Sequence, residues 1–196
     1  STGTNDLYYD MKLDGVNPET STFNSSSADL VMPAGTNTIK FARLYWGGRI
    51  NGGTGGAGNI NLRTVKIRKG TSGAYTDITA PVSQIDKSLI SGSDSAYQSY
   101  VDVTGFINVA GNGAGTYTVA NVFADIGSES AGNYAAWSIV VVYENASVPY
   151  NSVRVYDGYL QVFNGGPLSI LLTGLTVPSA TLVPSDAYMT ALSWEG

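Results

Sequence analysis

Alternation of apolar and polar residues is the main pattern along the chain. Within Thr38–Trp46 (TIKFARLYW), strict alternation puts Ile39 and Phe41 on one face and Ala42 and Leu44 on the other. A period of two residues is typical of a half-buried β-strand. The pattern predicts strands at Leu7–Leu13, Thr38–Trp46, Leu62–Lys69, Tyr75–Thr79, Tyr97–Val103, Thr116–Phe123, Ala135–Tyr143, Ser152–Val162, Leu168–Leu172 and Tyr188–Trp194.

Two segments depart from simple alternation. Ala135–Tyr143 is nearly continuous in Ile and Val, which predicts a central strand buried on both faces. Val82–Ile90 places Val82, Ile85 and Leu89 at helical spacing, and it predicts one short helix. No longer amphipathic helix is indicated anywhere in the chain.

Evenly spaced strands separated by turns indicate the fold class. Asn51-Gly52, Asn112-Gly113, Asp157-Gly158 and Asn164-Gly165 are turn or bulge signals. The sequence predicts an all-β fold, an antiparallel, jelly-roll-like β-sandwich of about ten strands with at most one short helix. With no linker and no internal repeat, we expect residues 1–196 to form a single domain, excised from a longer chain.

Composition excludes several kinds of chemistry. The chain has no histidine and no cysteine, so it can hold neither a Ser-His-Asp or Cys-His nucleophile system nor a His- or Cys-ligated zinc. A net charge of -5 argues against nucleic acid as a partner. The longest apolar stretch, Ala135–Tyr143, is too short for a membrane-spanning helix.

The few basic residues are concentrated in one part of the chain. Seven of the ten Lys and Arg residues lie between positions 40 and 69, and after Lys87 the only base is Arg154. If the two basic strands pair, they form a basic strip. Such a strip either protects an edge strand from aggregation or docks an anionic glycan or a neighbouring subunit, and we favour the first interpretation.

One glycine-rich segment matches the sequence pattern of a nucleotide-binding loop. Gly53–Gly58 matches the pattern G-x-G-x-x-G, but that motif must open a helix whose N-terminus holds the pyrophosphate. Because Asn59–Lys66 is predicted to continue as strand, we interpret Gly53–Gly58 as a surface loop and reject a dinucleotide site.

Carboxylates offer the remaining routes to catalysis or metal binding. A glycosidase needs two acids about 5–9.5 Å apart and no histidine, but none of the four glutamates lies in a recognisable motif. Calcium is the better prediction, since it takes oxygen ligands from Asp, Glu and Asn. The proposed calcium ligands are Asp10, Asp14, Asn17, Glu19, Asp125 and Glu129. An Asx turn that caps its own backbone is the simpler alternative at these positions.

Several phrases, taken together, resemble a known kind of module. They are Ser21–Leu30, Phe41–Gly48, Tyr100–Thr104, Gly115–Val122, Ala136–Asn145, Val155–Tyr159 and Trp194–Gly196. Their order and spacing are similar to those of the N-terminal module of large bacterial surface proteins, often those with downstream DUF11-type repeat domains. The resemblance implies an extracellular β-rich module at a bacterial cell surface, in an adhesin-like or gliding-associated protein, and it implies no catalytic residues.

These observations lead to one expected function and one alternative. We expect a non-enzymatic adhesion or recognition module, calcium-stabilised, that binds a glycan or peptide on another cell or surface through Tyr and Trp faces, glycine-rich loops and calcium-held acids. Its other partners would be neighbouring domains of the same polypeptide. The alternative is a structural subunit of a surface fibre or pilus that self-associates by strand addition.

Overall fold

The computed structural model describes residues 21–50, 59–91, 94–109, 113–125, 133–160, 168–175 and 188–193. By internal contacts the chain divides into two compact units. The first comprises Ser1–Tyr150 together with Trp194–Gly196, and the second comprises Asn151–Ser193.

All the strands of the described residues belong to the first unit. They are β1 (Ser25–Leu30), β2 (Thr38–Ile50), β3 (Thr64–Lys69), β4 (Thr76–Thr79), β5 (Ile85–Ser91), β6 (Asp94–Asp102), β7 (Gly115–Ala120) and β8 (Ala135–Glu144). The described residues also form two short α-helices, α1 (Ile60–Arg63) and α2 (Thr104–Val109).

The strands form two antiparallel sheets of four strands each. Sheet I has the order β1-β7-β3-β4, and sheet II has the order β5-β6-β2-β8. One buried apolar cluster draws side chains from both sheets, for example Leu44 and Trp46 of β2 with Val65 and Ile67 of β3. The all-β, sandwich-like architecture predicted from the sequence is therefore confirmed.

A bulge in β2 decides which of its side chains enter the core. Ile39 pairs with Tyr143 and Phe41 with Val142, so Lys40 is an extra residue in the ladder. The bulge reverses the alternation at this point. Ile39 consequently lies in the same buried cluster as Ala42, and it does not share a face with Phe41 as strict alternation predicts.

Three of the predicted local structures are wrong. The segment Val82–Ile90 is not a helix: Val82–Gln84 forms a single 3₁₀ turn, and Ile85–Ser91 is β5, hydrogen-bonded along β6. Pairing with a neighbouring strand overrides the helical spacing here. The described residues contain two α-helices where at most one was expected. The helix α1 begins at Ile60, after its N-cap Asn59, where the sequence pattern predicts strand.

The position of β8 also differs from the prediction. Ala135–Tyr143 was expected to be central, but β8 is the last strand of sheet II and, in the described part of the chain, pairs with β2 alone. No β8 side chain is fully buried. Its continuous Ile and Val residues therefore do not result from burial on both faces.

The second unit contains neither strand nor helix within its described residues. The predicted strands at Ser152–Val162, Leu168–Leu172 and Tyr188–Trp194 are absent from the described parts of those segments. Their apolar side chains are largely exposed, for example Val153, Ile170 and Met189. Alternation yields a strand only where a neighbouring strand completes the hydrogen bonding.

The helices of the described residues are few and short. None of them is both long enough and apolar enough to cross a membrane.

Candidate functional site

Two asparagines fasten the chain before β1 to the chain after β7. Asn121 adopts a positive φ of 63°, a conformation that Asn tolerates better than other non-glycine residues. Its Oδ1 accepts a hydrogen bond from the Phe23 main-chain N–H at 2.9 Å, and its Nδ2 donates to the Ser21 carbonyl at 3.1 Å. Asn24 bonds in the opposite direction: its side chain accepts a hydrogen bond from the Val122 N–H at 3.0 Å and donates one to the Val122 carbonyl at 2.7 Å.

The hydrogen bonds of Asn24 and Asn121 bring two phenylalanine rings into contact. The rings of Phe23 and Phe123 meet edge to face, with centroids 6.5 Å apart and an interplanar angle of 87°. Phe23 remains 40% exposed, although the interior of the sandwich lies close by. An exposed ring that packs against a second ring, on a main chain fixed by hydrogen bonds, is suited to contact a ligand.

Tyr97 of β6 fixes Phe123 from the inside. The fully buried Tyr97 hydroxyl donates a 2.6 Å hydrogen bond to the Phe123 carbonyl oxygen. Burial raises the pKa of Tyr97 well above its usual value, and repulsion from Tyr134 raises it further. The phenol is therefore neutral at physiological pH and serves as a hydrogen-bond donor.

Polar groups from β3, β4 and α1 stand beside the rings. Lys66 and Asp77 are cross-strand neighbours whose Nζ and Oδ1 atoms are 2.6 Å apart. The Thr64 and Thr79 hydroxyls, two pairs further along the same ladder, are 3.0 Å apart. The exposed Asn61 lies in the first turn of α1, where the Asn59 side chain accepts a hydrogen bond from the Asn61 N–H at 3.0 Å.

Together these residues enclose a small depression of about 230 Å³, which we call the Phe groove. Its lining residues are Phe23, Asn61, Thr64, Lys66, Asp77, Asn121 and Phe123. The volume lies below the roughly 300–1,000 Å³ of pockets for drug-sized ligands. The Phe groove therefore suits one ring-sized group, with apolar contact on one side and hydrogen-bond donors and acceptors on the other.

A second, wider depression of about 620 Å³ lies between the β3–β4 turn and α2. Arg68 lines it but is only 2% exposed, since its guanidinium donates to the carbonyls of Thr71 and Gly73 and lies 4.2 Å from the Tyr75 ring centroid. Arg68 thus organises its own turn. The other residues that line this depression include Lys69, Ser72 and Thr76 beside the apolar Phe106 and Val109.

The basic residues do not form the predicted strip. The strands β2 and β3, which carry most of them, lie in different sheets, and neither is an edge strand. Several are bound within the fold: Lys40 pairs with Glu144, Lys66 with Asp77, and the buried Arg49 with Asp94. Both interpretations of the strip are therefore wrong, because the two basic strands never become neighbours.

Most of the predicted calcium ligands cannot be placed. Asp10, Asp14, Asn17, Glu19 and Glu129 lie outside the described residues, as does the Gly53–Gly58 loop. Asp125 is half-buried, and its main-chain N–H donates to the Arg49 carbonyl at 3.0 Å. The described ranges contain no cluster of three His, Cys, Asp or Glu residues that could hold a metal ion. The calcium site stays a prediction.

The structure after the Gly53–Gly58 segment is relevant to the rejected dinucleotide site. A helix does follow, contrary to the expectation of a strand, but α1 has only four residues. It leads into β3, whose neighbours on both sides run antiparallel to it. A dinucleotide fingerprint belongs to a parallel βαβ unit, so this arrangement does not provide one.

The comparisons with known proteins identify no relative. The chain matches no protein-family model, no curated protein and no solved structure.

Proposed function

We propose that the protein is a non-enzymatic recognition module that binds a glycan through the Phe groove. The observation that carries this proposal is an exposed phenylalanine ring that lines one depression together with an ion pair, the Thr64 hydroxyl and an exposed amide. A sugar ring presents both an apolar face of C–H groups and a rim of hydroxyls. Phe23 matches the first, and Lys66 and Asp77 match the second.

The setting of this activity is proposed on the resemblance described above. We place the module outside the cell, on a bacterial surface protein, where adhesion to glycans of another cell would be its task. Nothing in the Phe groove depends on calcium, so calcium would act elsewhere, as a stabiliser of the fold.

The absence of catalysis is also part of the proposal. A glycosidase needs two carboxylates facing the scissile bond. Among the described lining residues, the Phe groove has a single carboxylate, that of Asp77, and the wider depression has none. The arrangement of the described residues therefore favours binding over hydrolysis.

The test compares three variants on a glycan array, followed by calorimetry on the glycans that bind. Phe23→Ala should weaken binding by about tenfold or more, equivalent to roughly 1.4 kcal/mol. Asp77→Asn should also weaken it, with little loss of fold stability because the ion pair is partly exposed. Tyr150→Ala removes a ring that is 95% exposed and lies outside the groove, and it should bind like the wild type.

Three outcomes would contradict the proposal. A wild-type protein that binds no glycan, with calcium present, would exclude glycan recognition. Binding that survives Phe23→Ala would place the site elsewhere. Binding of short peptides in preference to glycans would assign the Phe groove to the other ligand class.

A further inference from the structure

The two charged residues of the Phe groove differ in their exposure. Lys66 and Asp77 are the only charged side chains among its described lining residues, and their Nζ and Oδ1 atoms form a 2.6 Å ion pair. The Asp77 side chain is 66% exposed, whereas that of Lys66 is only 23% exposed. A ligand that enters from solvent therefore meets a pair with no net charge, of which the carboxylate is the more accessible end.

Two other cations of the same region do not add positive charge to the Phe groove. Arg63 donates from Nη1 to the Ala80 carbonyl at 2.6 Å, and the buried Arg68 donates to main-chain carbonyls of its own turn. Neither guanidinium is among the described residues that line the groove. The exposed Asp77 carboxylate is therefore the charge that a ligand in the groove experiences most strongly.

The ion pair also offers a hydrogen-bond donor and an acceptor side by side. An ammonium has three N–H donors, and that of Lys66 donates one of them to Asp77 Oδ1. The second carboxylate oxygen, Oδ2, can accept from a ligand hydroxyl. Two adjacent hydroxyls of a sugar ring match this arrangement, because one can donate to Asp77 while its neighbour accepts from Lys66. Hydrogen bonds to charged groups are roughly twice as strong as those between neutral groups.

An acidic sugar would meet repulsion at the same position. A uronic acid carries a carboxylate on the ring itself, and the Phe groove, with a volume of about 230 Å³, suits a single ring. Every substituent of that ring would lie within the Debye length, about 8 Å at physiological ionic strength, so its charge would be little screened from Asp77. Like charges brought together in a binding site are unfavourable, and specificity often depends on such repulsion.

We propose that the Phe groove is specific for uncharged sugars with adjacent ring hydroxyls, and that the Asp77 carboxylate excludes uronic and other acidic sugars. This inference rests on the proposed glycan binding and narrows it to one class of glycan. Phe23 contributes affinity for either class through its ring. Asp77 acts in opposite directions on the two classes, because it accepts hydrogen bonds from a neutral sugar and repels an acidic one.

Calorimetry with matched pairs of sugars tests the selectivity. The methyl glycosides of glucose, galactose and mannose are compared with those of glucuronic, galacturonic and mannuronic acid, which differ from them only in a carboxylate at C6. The neutral sugar that binds the wild type most tightly should bind at least tenfold more tightly than its acidic counterpart. Raising the NaCl concentration from about 50 mM to about 500 mM should narrow this difference at least threefold, since screening weakens charge repulsion.

Three variants determine whether the ion pair causes the selectivity. Asp77→Asn keeps the shape of the side chain but removes its charge, so it should bind the neutral sugar more weakly and the acidic sugar more tightly than the wild type does. Lys66→Gln leaves the carboxylate without its ion-pair partner and should increase the discrimination against the acid. Asp29→Asn is the matched control. It changes the net charge as Asp77→Asn does, at an exposed position of β1 outside the groove lining, and should keep the wild-type preference.

The folding of each variant is checked by circular dichroism. Little loss is expected, because the ion pair of Lys66 and Asp77 is partly exposed. The salt dependence is measured on the wild type alone, so it decides the question even if a variant fails to fold.

The outcomes separate this inference from the proposed function. An acidic sugar that binds the wild type as tightly as its neutral counterpart, and that no longer binds Phe23→Ala, would overturn the selectivity and leave glycan binding in place. A preference for neutral sugars that is unchanged in Asp77→Asn would also overturn the inference, because Asp77 would not be its cause. If glycans bind on the array but none of the six methyl glycosides binds, the inference alone is wrong. If no glycan binds at all, both are wrong.

Discussion

The indole Nε1 of Trp46 donates a 3.0 Å hydrogen bond to the main-chain carbonyl oxygen of Leu62. The Ser99 hydroxyl donates to the same oxygen at 2.9 Å. Trp46 and Ser99 lie in neighbouring strands of sheet II, whereas Leu62 belongs to α1, which leads directly into β3 of sheet I. One carbonyl oxygen in the buried interior therefore connects the two sheets.

The first prediction concerns this connection. Trp46→Phe removes the indole hydrogen bond and leaves part of a fully buried site empty, so the free energy of unfolding should fall by about 2–3 kcal/mol. Trp137→Phe is the matched control. This variant also loses an inter-sheet hydrogen bond, from Nε1 to Ser26 Oγ at 2.7 Å. Because Trp137 is only half-buried, the substitution should lower the free energy of unfolding by about 1 kcal/mol.

Urea unfolding followed by circular dichroism measures both variants without relying on tryptophan fluorescence. If both substitutions lower the free energy of unfolding equally, the buried contact between Trp46 and Leu62 stabilises the fold no more than the half-buried contact of Trp137 does.

The strand β2 shows how far the sequence could predict the fold. Alternation correctly indicated the strand, because a period of two is a property of the pleated backbone itself. It failed at Lys40, where one inserted residue reverses the faces. A bulge depends on pairing with β8, a strand about 100 residues away in sequence, so no local pattern reveals it.

The second prediction follows from the bulge. Strict alternation places Ile39 and Phe41 on the same face, whereas the structure places them on opposite faces. Ile39→Ala should lower the free energy of unfolding by about 2–4 kcal/mol, because Ile39 is 4% exposed within the core. Phe41→Ala should cost about 1 kcal/mol despite the larger side chain removed, since Phe41 lies half-buried on the opposite face beside Arg43. Chemical denaturation measures both, and a larger loss for Phe41→Ala would place Phe41 in the core instead.

The Phe groove was less predictable than the fold. The sequence indicated exposed aromatic rings as the recognition element but favoured Tyr and Trp, whereas the groove uses Phe23 and Phe123. Their proximity depends on hydrogen bonds between Asn24 and Val122 and between Asn121 and Phe23, across about 100 residues of chain. The strand β1, just after Phe23, was also missed, because Ser25–Leu30 shows no apolar alternation and pairs with β7 partly through the hydroxyls of Ser27 and Thr118.

The third prediction concerns the conformation of Asn121. Asn121→Gly loses the side-chain hydrogen bonds to Phe23 and Ser21 but accepts the positive φ, so it should destabilise the fold by about 1–2 kcal/mol. Asn121→Ala loses the same bonds and adds the cost of a left-handed backbone, about 1 kcal/mol more. Thermal or urea unfolding gives the order. An alanine variant as stable as the glycine variant would show that the backbone at this position relaxes.

The last prediction is a loss of stability at alkaline pH caused by Tyr97. Burial holds the Tyr97 phenol protonated in the folded protein above pH 10, near which a tyrosine in an unfolded chain ionises. Above that pH the unfolded state binds fewer protons than the folded state, so the free energy of unfolding falls as the pH rises. Below about pH 9 both states are protonated, and Tyr97 contributes no pH dependence.

Tyr117 should act in the same direction, because burial raises its pKa as well. Urea unfolding at pH 7, 9, 10 and 11 should show a shallower alkaline decline for Tyr97→Phe than for the wild type, by up to about 1.4 kcal/mol per pH unit above pH 10. Tyr117→Phe should show a smaller change in slope, and the double variant the sum of the two. Other ionising groups are common to all four proteins, and their contributions cancel in the comparison. Parallel curves for the wild type and Tyr97→Phe would contradict the prediction and would mean that the Tyr97 phenol ionises before the fold is lost.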